Sequence, residues 1–109
     1  MSKETALIFV ETRPDLFRRD FAEWLAENWH IYVEFSRRAD RLRDLGRDHM
    51  GSRAIWESIR YDTATHEING EFRLNNIFAP DCARLWSLFN PKHAQFFERR
   101  SGQSAVRAI

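Results

Sequence analysis

Cysteine is almost missing from this 109-residue chain, in which Cys82 stands alone. One thiol forms no internal disulfide and begins no thiolate cage for a metal, and its rarity fits a reducing compartment. Glycine is nearly as scarce. Gly46, Gly51, Gly70 and Gly102 are isolated, so no glycine-rich loop exists to cradle a nucleotide. Lysine occurs only as Lys3 and Lys92, and the other 15 of the 17 basic side chains are arginines. No apolar run approaches the length of a membrane span, and the start of the chain lacks the layout of a signal peptide. These absences point to the cytoplasm. The formal net charge of +1 does not announce a nucleic-acid partner by itself. Arginine in place of lysine is more suggestive, because its planar fork grips phosphate, guanine or carboxylate through two bonds at once. A GC-rich coding sequence explains the same bias without any ligand.

Aromatic residues are abundant, at 14% of the chain, which argues for a packed core over disorder. The length suits one domain, expected over residues 1–100, with a loose tail at 101–109. Ala6 to Val10 reads as an edge strand or a lead-in that packs on the core. Pro14 sits well in a first helical turn, and Phe17, Phe21, Trp24 and Leu25 predict a helix from Pro14 to Asn28. The apolar phase shifts at Asn28, so a second helix follows to about Leu45. Tyr32, Phe35, Ala39, Leu42 and Leu45 face inward there, and Gly46 is a left-handed cap. The outer face pairs Arg37 with Asp40 and Arg41 with Asp44 at three-residue spacing. Pro80 opens a later helix with a buried stripe of Cys82, Leu85, Trp86 and Phe89, and Asn90-Pro91 ends it. Phe96 and Phe97 dock back on the core.

The stretch from Gly51 to Asn76 organises the rest. Ser52 is the expected N-cap of a helix whose apolar face holds Ile55, Trp56 and Ile59. Beyond Asp62, Thr63 and Thr65 favour strand, Asn69-Gly70 favours a tight type I′ turn, and Glu71 to Leu74 alternates polar and apolar. A helix followed at once by a β-hairpin predicts a mainly α fold of winged helix-turn-helix type with extra C-terminal helices. The helix starting at Pro80 is the second choice for recognition helix, since its large apolar positions leave less surface for a ligand.

The candidate DNA contacts follow from that arrangement. Arg53 and Arg60 project from one face of the helix, placed for guanine edges or flanking phosphates, and Glu57 midway between them is placed to accept from cytosine. The plainer explanation is that Glu57 pairs with Arg53 and that Arg60 caps the helix end. Arg47 and Ser52 lie where the chain enters the helix. Asn69, Arg73 and Asn75 belong to the expected wing. No cofactor is implied, no histidine pair stands at metal-ligand spacing, and neither Ser52 nor Cys82 has a base designated by the sequence. Catalysis therefore has no positive sign. Arg84 is placed to hold a carboxylate inside the domain.

The segments DFAEWLAEN, GSRAIWESIRYDT, GEFRLNN, APDCARLW and FFERR resemble a group of small proteins encoded by bacteriophages and prophages, over roughly residues 20–100. The resemblance implies a bacterial host cytoplasm and supplies no activity. The residues lead to a small regulatory protein that binds double-stranded DNA, without enzymatic activity. The alternative is a module that docks on a host or phage protein and inhibits a defence complex in the manner of anti-CRISPR proteins. A homodimer would read two half-sites, with the first helix or the Phe96-Phe97 end supplying its surface.

Overall fold

A computed structural model of the protein describes residues 2–47, 49–66 and 76–97. Five α-helices follow one another in these residues: α1 (Lys3–Glu11), α2 (Phe21–Glu27), α3 (Trp29–Asp44), α4 (Ser52–His66) and α5 (Ala79–Phe89). Short 3₁₀ turns at Asn76–Phe78 and Pro91–His93 bracket α5. Among the described residues the sole β pairing is an isolated bridge between Met50 and Phe97.

The first apolar run forms a helix, not a strand. The Ser2 side chain accepts from the Thr5 N–H at 3.2 Å and caps the helix start. Ala6 and Val10, one helical turn apart, turn into the core. The expected helix from Pro14 to Asn28 is realised only in its second half. Its first half is a chain of turns because α5 takes the backbone partners a helix would need. Asp81 Oδ1 accepts from the Arg18 N–H at 3.1 Å, and Arg84 Nη1 donates to the Leu16 carbonyl at 2.7 Å.

Helix α2 ends where the phase shift places the break. Asn28 Nδ2 donates to the Trp24 carbonyl at 3.0 Å, and α3 begins at the next residue. Gly46 has φ 83°, the left-handed geometry that glycine adopts without a Cβ penalty. Around it the Gly46 N–H donates to the Arg43 carbonyl and the Arg47 N–H to the Leu42 carbonyl, both at 3.0 Å. This pair of bonds is the Schellman closure of a helix C-terminus.

The winged fold is not what the chain adopts. Helix α4 runs through Thr63 and Thr65 to His66, where strand was expected. Threonine's deficit in a helix is well under about 1 kcal/mol, and a helix already anchored on the core absorbs it. The described part is helical and contains neither strand nor hairpin. Asn69-Gly70 and Glu71 to Leu74, the expected turn and second strand, lie outside the described residues, as does the tail at 101–109. Helix α5 is excluded as a recognition helix, since Ala79, Asp81, Cys82, Ala83, Leu85 and Trp86 are all buried.

Aromatic rings run through the core as one connected series. Phe21 stacks on Phe17 and on Trp24, with centroids 5.4 and 5.9 Å apart. Trp24 meets Trp56 at 5.7 Å, and Trp56 meets Phe35 edge-on at 6.2 Å. Phe35 stacks on Phe97 at 5.5 Å, which in turn meets Trp86 edge-on at 5.5 Å. Each such pair adds about 0.5–1.5 kcal/mol beyond the area it buries. Phe96 and Phe97 are thus interior residues of one chain, which removes them as a dimer surface.

Candidate nucleic-acid interface

Helix α4 has two unlike faces. Ile55, Trp56 and Ile59 are buried on one. Arg53, Arg60 and Tyr61 are exposed on the other, with Glu57 half-exposed between them. Arg53 and Arg60 are two helical turns apart, about 10.5 Å along the axis. Both lean on the same carboxylate: Glu57 Oε2 is 3.8 Å from Arg53 Nε and 3.3 Å from Arg60 Nη1. One negative charge serves two positive ones. The expected i, i+4 pair of Arg53 with Glu57 is present, but Arg60 is no helix cap, because α4 continues beyond it.

Ser58 and Asp62 of α4 belong to a seam with α3. Arg38 donates through Nε to Glu34 Oε2 at 2.6 Å, through Nη1 to Ser58 Oγ at 2.8 Å and through Nη2 to Asp62 Oδ2 at 2.6 Å. Arg37 donates to the same Glu34 at 2.7 Å. Burial pushes the Glu34 carboxyl up, but hydrogen bonds from Arg37 and Arg38 outweigh it and leave the group below its ordinary range. The pairs expected on α3 are therefore replaced. Arg37 turns back to Glu34, and Asp40 is approached by Arg43 at 3.4 Å. Asp44 is bound by Arg43 at 3.1 Å, not by Arg41.

A cavity of about 250 Å³ opens where α3 ends, lined by Arg43, Gly46, Arg47, Lys92, His93, Gln95 and Phe96. Its walls are well fixed. Arg43 donates through Nη1 to Asn90 Oδ1 at 3.1 Å, which joins the end of α3 to the turn after α5. Asn90 Nδ2 donates to the Trp86 carbonyl at 2.8 Å, and the Arg43 guanidinium lies 5.8 Å from the Trp86 ring centre. The chain from His93 returns to the α3–α4 turn, where the Met50 N–H donates to the Phe96 carbonyl at 2.8 Å. Asp40 and Asp44 occupy part of Arg43. Arg47, Lys92 and His93 form no ion pair among the described residues.

The sequence-based candidates divide three ways. Arg53, Glu57 and Arg60 come together on α4. Ser52 is the first residue of that helix rather than its cap, with the Ala54 N–H donating to the Gly51 carbonyl at 3.0 Å. Arg47 joins a different group, the cavity, and Asn69, Arg73 and Asn75 lie outside the described residues. Lys92 and His93 escaped sequence reasoning. The one available signal was the proline turn that ends α5, which folds a basic Lys-His pair against the end of α3, and nothing in the sequence specifies that closure.

The remaining buried polar groups are internal. Arg84 holds Asp81, with Nη1 3.5 Å from Oδ1, so it turns inward to a carboxylate. Burial raises the Asp81 carboxyl, against the lowering effect of the Arg18 N–H and of the Arg84 and Arg18 charges. Cys82 is fully buried, which pushes its thiol well above the ordinary range and leaves it inert. Tyr32 is raised for the same reason. Among the described residues no group of three or more His, Cys, Asp or Glu could hold a metal ion, and no helix is long and apolar enough to cross a membrane. No known protein family matches the chain, and neither a curated protein nor a solved structure matches it.

Proposed function

We propose that this protein binds double-stranded DNA through the solvent face of α4, without catalysing a reaction. The reading rests on one observation: Arg53 and Arg60 share a single carboxylate, so among the described residues the exposed face of a core-anchored helix keeps an unneutralised positive charge. Guanidinium groups two turns apart suit phosphates or guanine edges about three base steps apart. Glu57 holds both forks in place in the free protein and releases one of them to a phosphate on binding.

Duplex titrations across a salt series test it. Observed affinity falls linearly in log salt, with a slope of about 0.9 per phosphate neutralised. Arg53→Ala with Arg60→Ala is expected to weaken binding and to lower that slope by up to about 2. Absence of binding to any duplex at low salt would remove the proposal.

Tyr61 favours a second reading, a protein partner of host or phage origin. It is 70% exposed next to Arg60, and tyrosine beside arginine is the composition of an interface hot spot. Tyr61→Ala separates the two readings: it leaves the salt slope of DNA binding unchanged, whereas it removes a large share of the affinity for a protein partner.

A further inference from the structure

We infer that the cavity between the end of α3 and the turn after α5 is a phosphate-binding site. Three cationic or donor side chains line it from two separate chain segments, Arg47 on one wall and Lys92 with His93 on the other. None has an acidic partner among the described residues. On the same rim Arg43 has its Nε and Nη1 committed to Asp44, Asp40 and Asn90, while its Nη2 makes no hydrogen bond to a described residue. A guanidinium fork, an ammonium and an imidazole converge on one hollow. A planar carboxylate offers two acceptor atoms to such a set, whereas a tetrahedral phosphate offers three or four in different directions.

Side chains do this work, not the backbone. The Gly46, Arg47, His93 and Phe96 amides are all turned into the turns' own hydrogen bonds, so the site is not an amide nest. Those bonds fix the two walls instead. The Arg43 to Asn90 bond ties them to each other, and the hollow persists without a ligand. The site is also distinct from the Arg18, Arg19, Asp20 and Glu23 hollow, where two carboxylates balance two guanidinium groups and no anion is invited.

The phosphate has two possible sources, the backbone of a bound nucleic acid or a free phosphate. The first rests on the DNA reading above; the binding chemistry does not. The test is an amide NMR titration of the full chain with inorganic phosphate, sodium chloride holding the ionic strength constant. Saturable shifts are expected at Gly46, Arg47, Lys92, His93 and Gln95. Arg47→Gln with Lys92→Gln should weaken that binding about tenfold or more, with the melting temperature and spectral dispersion kept as the control for folding. No saturable shift, or the same shift with chloride alone, overturns the proposal. A shift of equal affinity in the double variant also overturns it.

The duplex salt series then assigns the source. A slope lowered by about 2 in the same double variant identifies a nucleic-acid backbone. Phosphate binding with an unchanged duplex slope identifies free phosphate and leaves the site standing. If no duplex binds at all while phosphate does, the DNA reading falls alone.

Discussion

Arginines on α3 and just past its end are used in two opposite ways. In its middle, each nitrogen of Arg38 that points at a neighbour meets an oxygen, and Glu34, Ser58 and Asp62 hold it across to α4. At its end, the chain turns through Gly46 and presents Arg47 with no carboxylate among the described residues to meet it. The residue type is the same and the distance along the chain is short. A count of arginines therefore says little about ligands. What matters is the charge left after the internal pairs are subtracted, and part of that remainder lies on α4's outer face and around the cavity.

The most drastic way to break the contrast is to loosen α4 from the core. Trp56 is fully buried and contacts both Trp24 and Phe35. Trp56→Ala is expected to cost about 3–5 kcal/mol, the usual range for truncating a buried aromatic. Chemical denaturation measures it. A loss that large is a big fraction of the stability of an ordinary domain, and it would collapse seam and cavity together. A cost below about 1 kcal/mol would mean that the ring series does not hold α4.

A finer cut compares the two arginines directly. Arg38→Ala removes a guanidinium that is 23% exposed and strands Asp62 and Ser58 of α4. Hydrogen bonds to charged groups contribute about 1.5–3 kcal/mol each when sheltered, and partial exposure here lowers the total to about 1–2 kcal/mol. Arg47→Ala should change stability by no more than about 0.5 kcal/mol, as for most surface substitutions. Equal costs would erase the distinction between a seam arginine and a ligand arginine.

The sequence made some of this legible and hid the rest for identifiable reasons. The inward stripe of α3, its glycine stop, the apolar face of α4 and the proline-started α5 are visible, because each follows from local periodicity or local backbone chemistry. The exception is Leu45, expected inward but 69% exposed because α3 has already ended at Asp44. Ala6 to Val10 reads as an edge strand or a lead-in because five apolar residues in a row carry no helical phase, and the Ser2 cap stands outside that run. Pro14 to Asp20 looked helical because nothing local reveals that Asp81 and Arg84, more than sixty residues later, take its backbone partners. Thr63 and Thr65 carry a weak local preference for strand, which the continuation of α4 to His66 overrides. On the candidate site, the Arg53, Glu57 and Arg60 group was readable at helical spacing. The meeting of Arg47 with Lys92 and His93 was not, since it depends on how the turn after α5 closes.

The smallest expected effect concerns the one carboxylate buried among the described residues, and it sharpens the comparison from the opposite side. Asp81 is 2% exposed, and its Oδ2 makes no hydrogen bond, with Arg18 Nε standing 3.8 Å away. Arg84 and Arg18 both attract the anion, yet burial dominates and raises its pKa above the ordinary 3.8. A carboxyl raised on folding binds more protons in the native state than in the unfolded chain across the window between its two pKa values. Its contribution is therefore most favourable below about 3.8 and is lost as pH rises through the higher folded value. Asp81→Asn keeps an oxygen to accept from the Arg18 N–H and carries no charge to desolvate. At neutral pH the variant should be at least as stable as the parent. On acidification toward pH 4 the parent should gain on it, and denaturant melts of both proteins at several pH values read the difference. Glu34, lowered on folding, acts in the opposite sense, but it is present in both proteins and cancels. If the parent instead loses ground to Asp81→Asn as the pH falls, attraction by Arg84 and Arg18 outweighs burial, and Asp81 becomes a second seam of the kind that Arg38 makes.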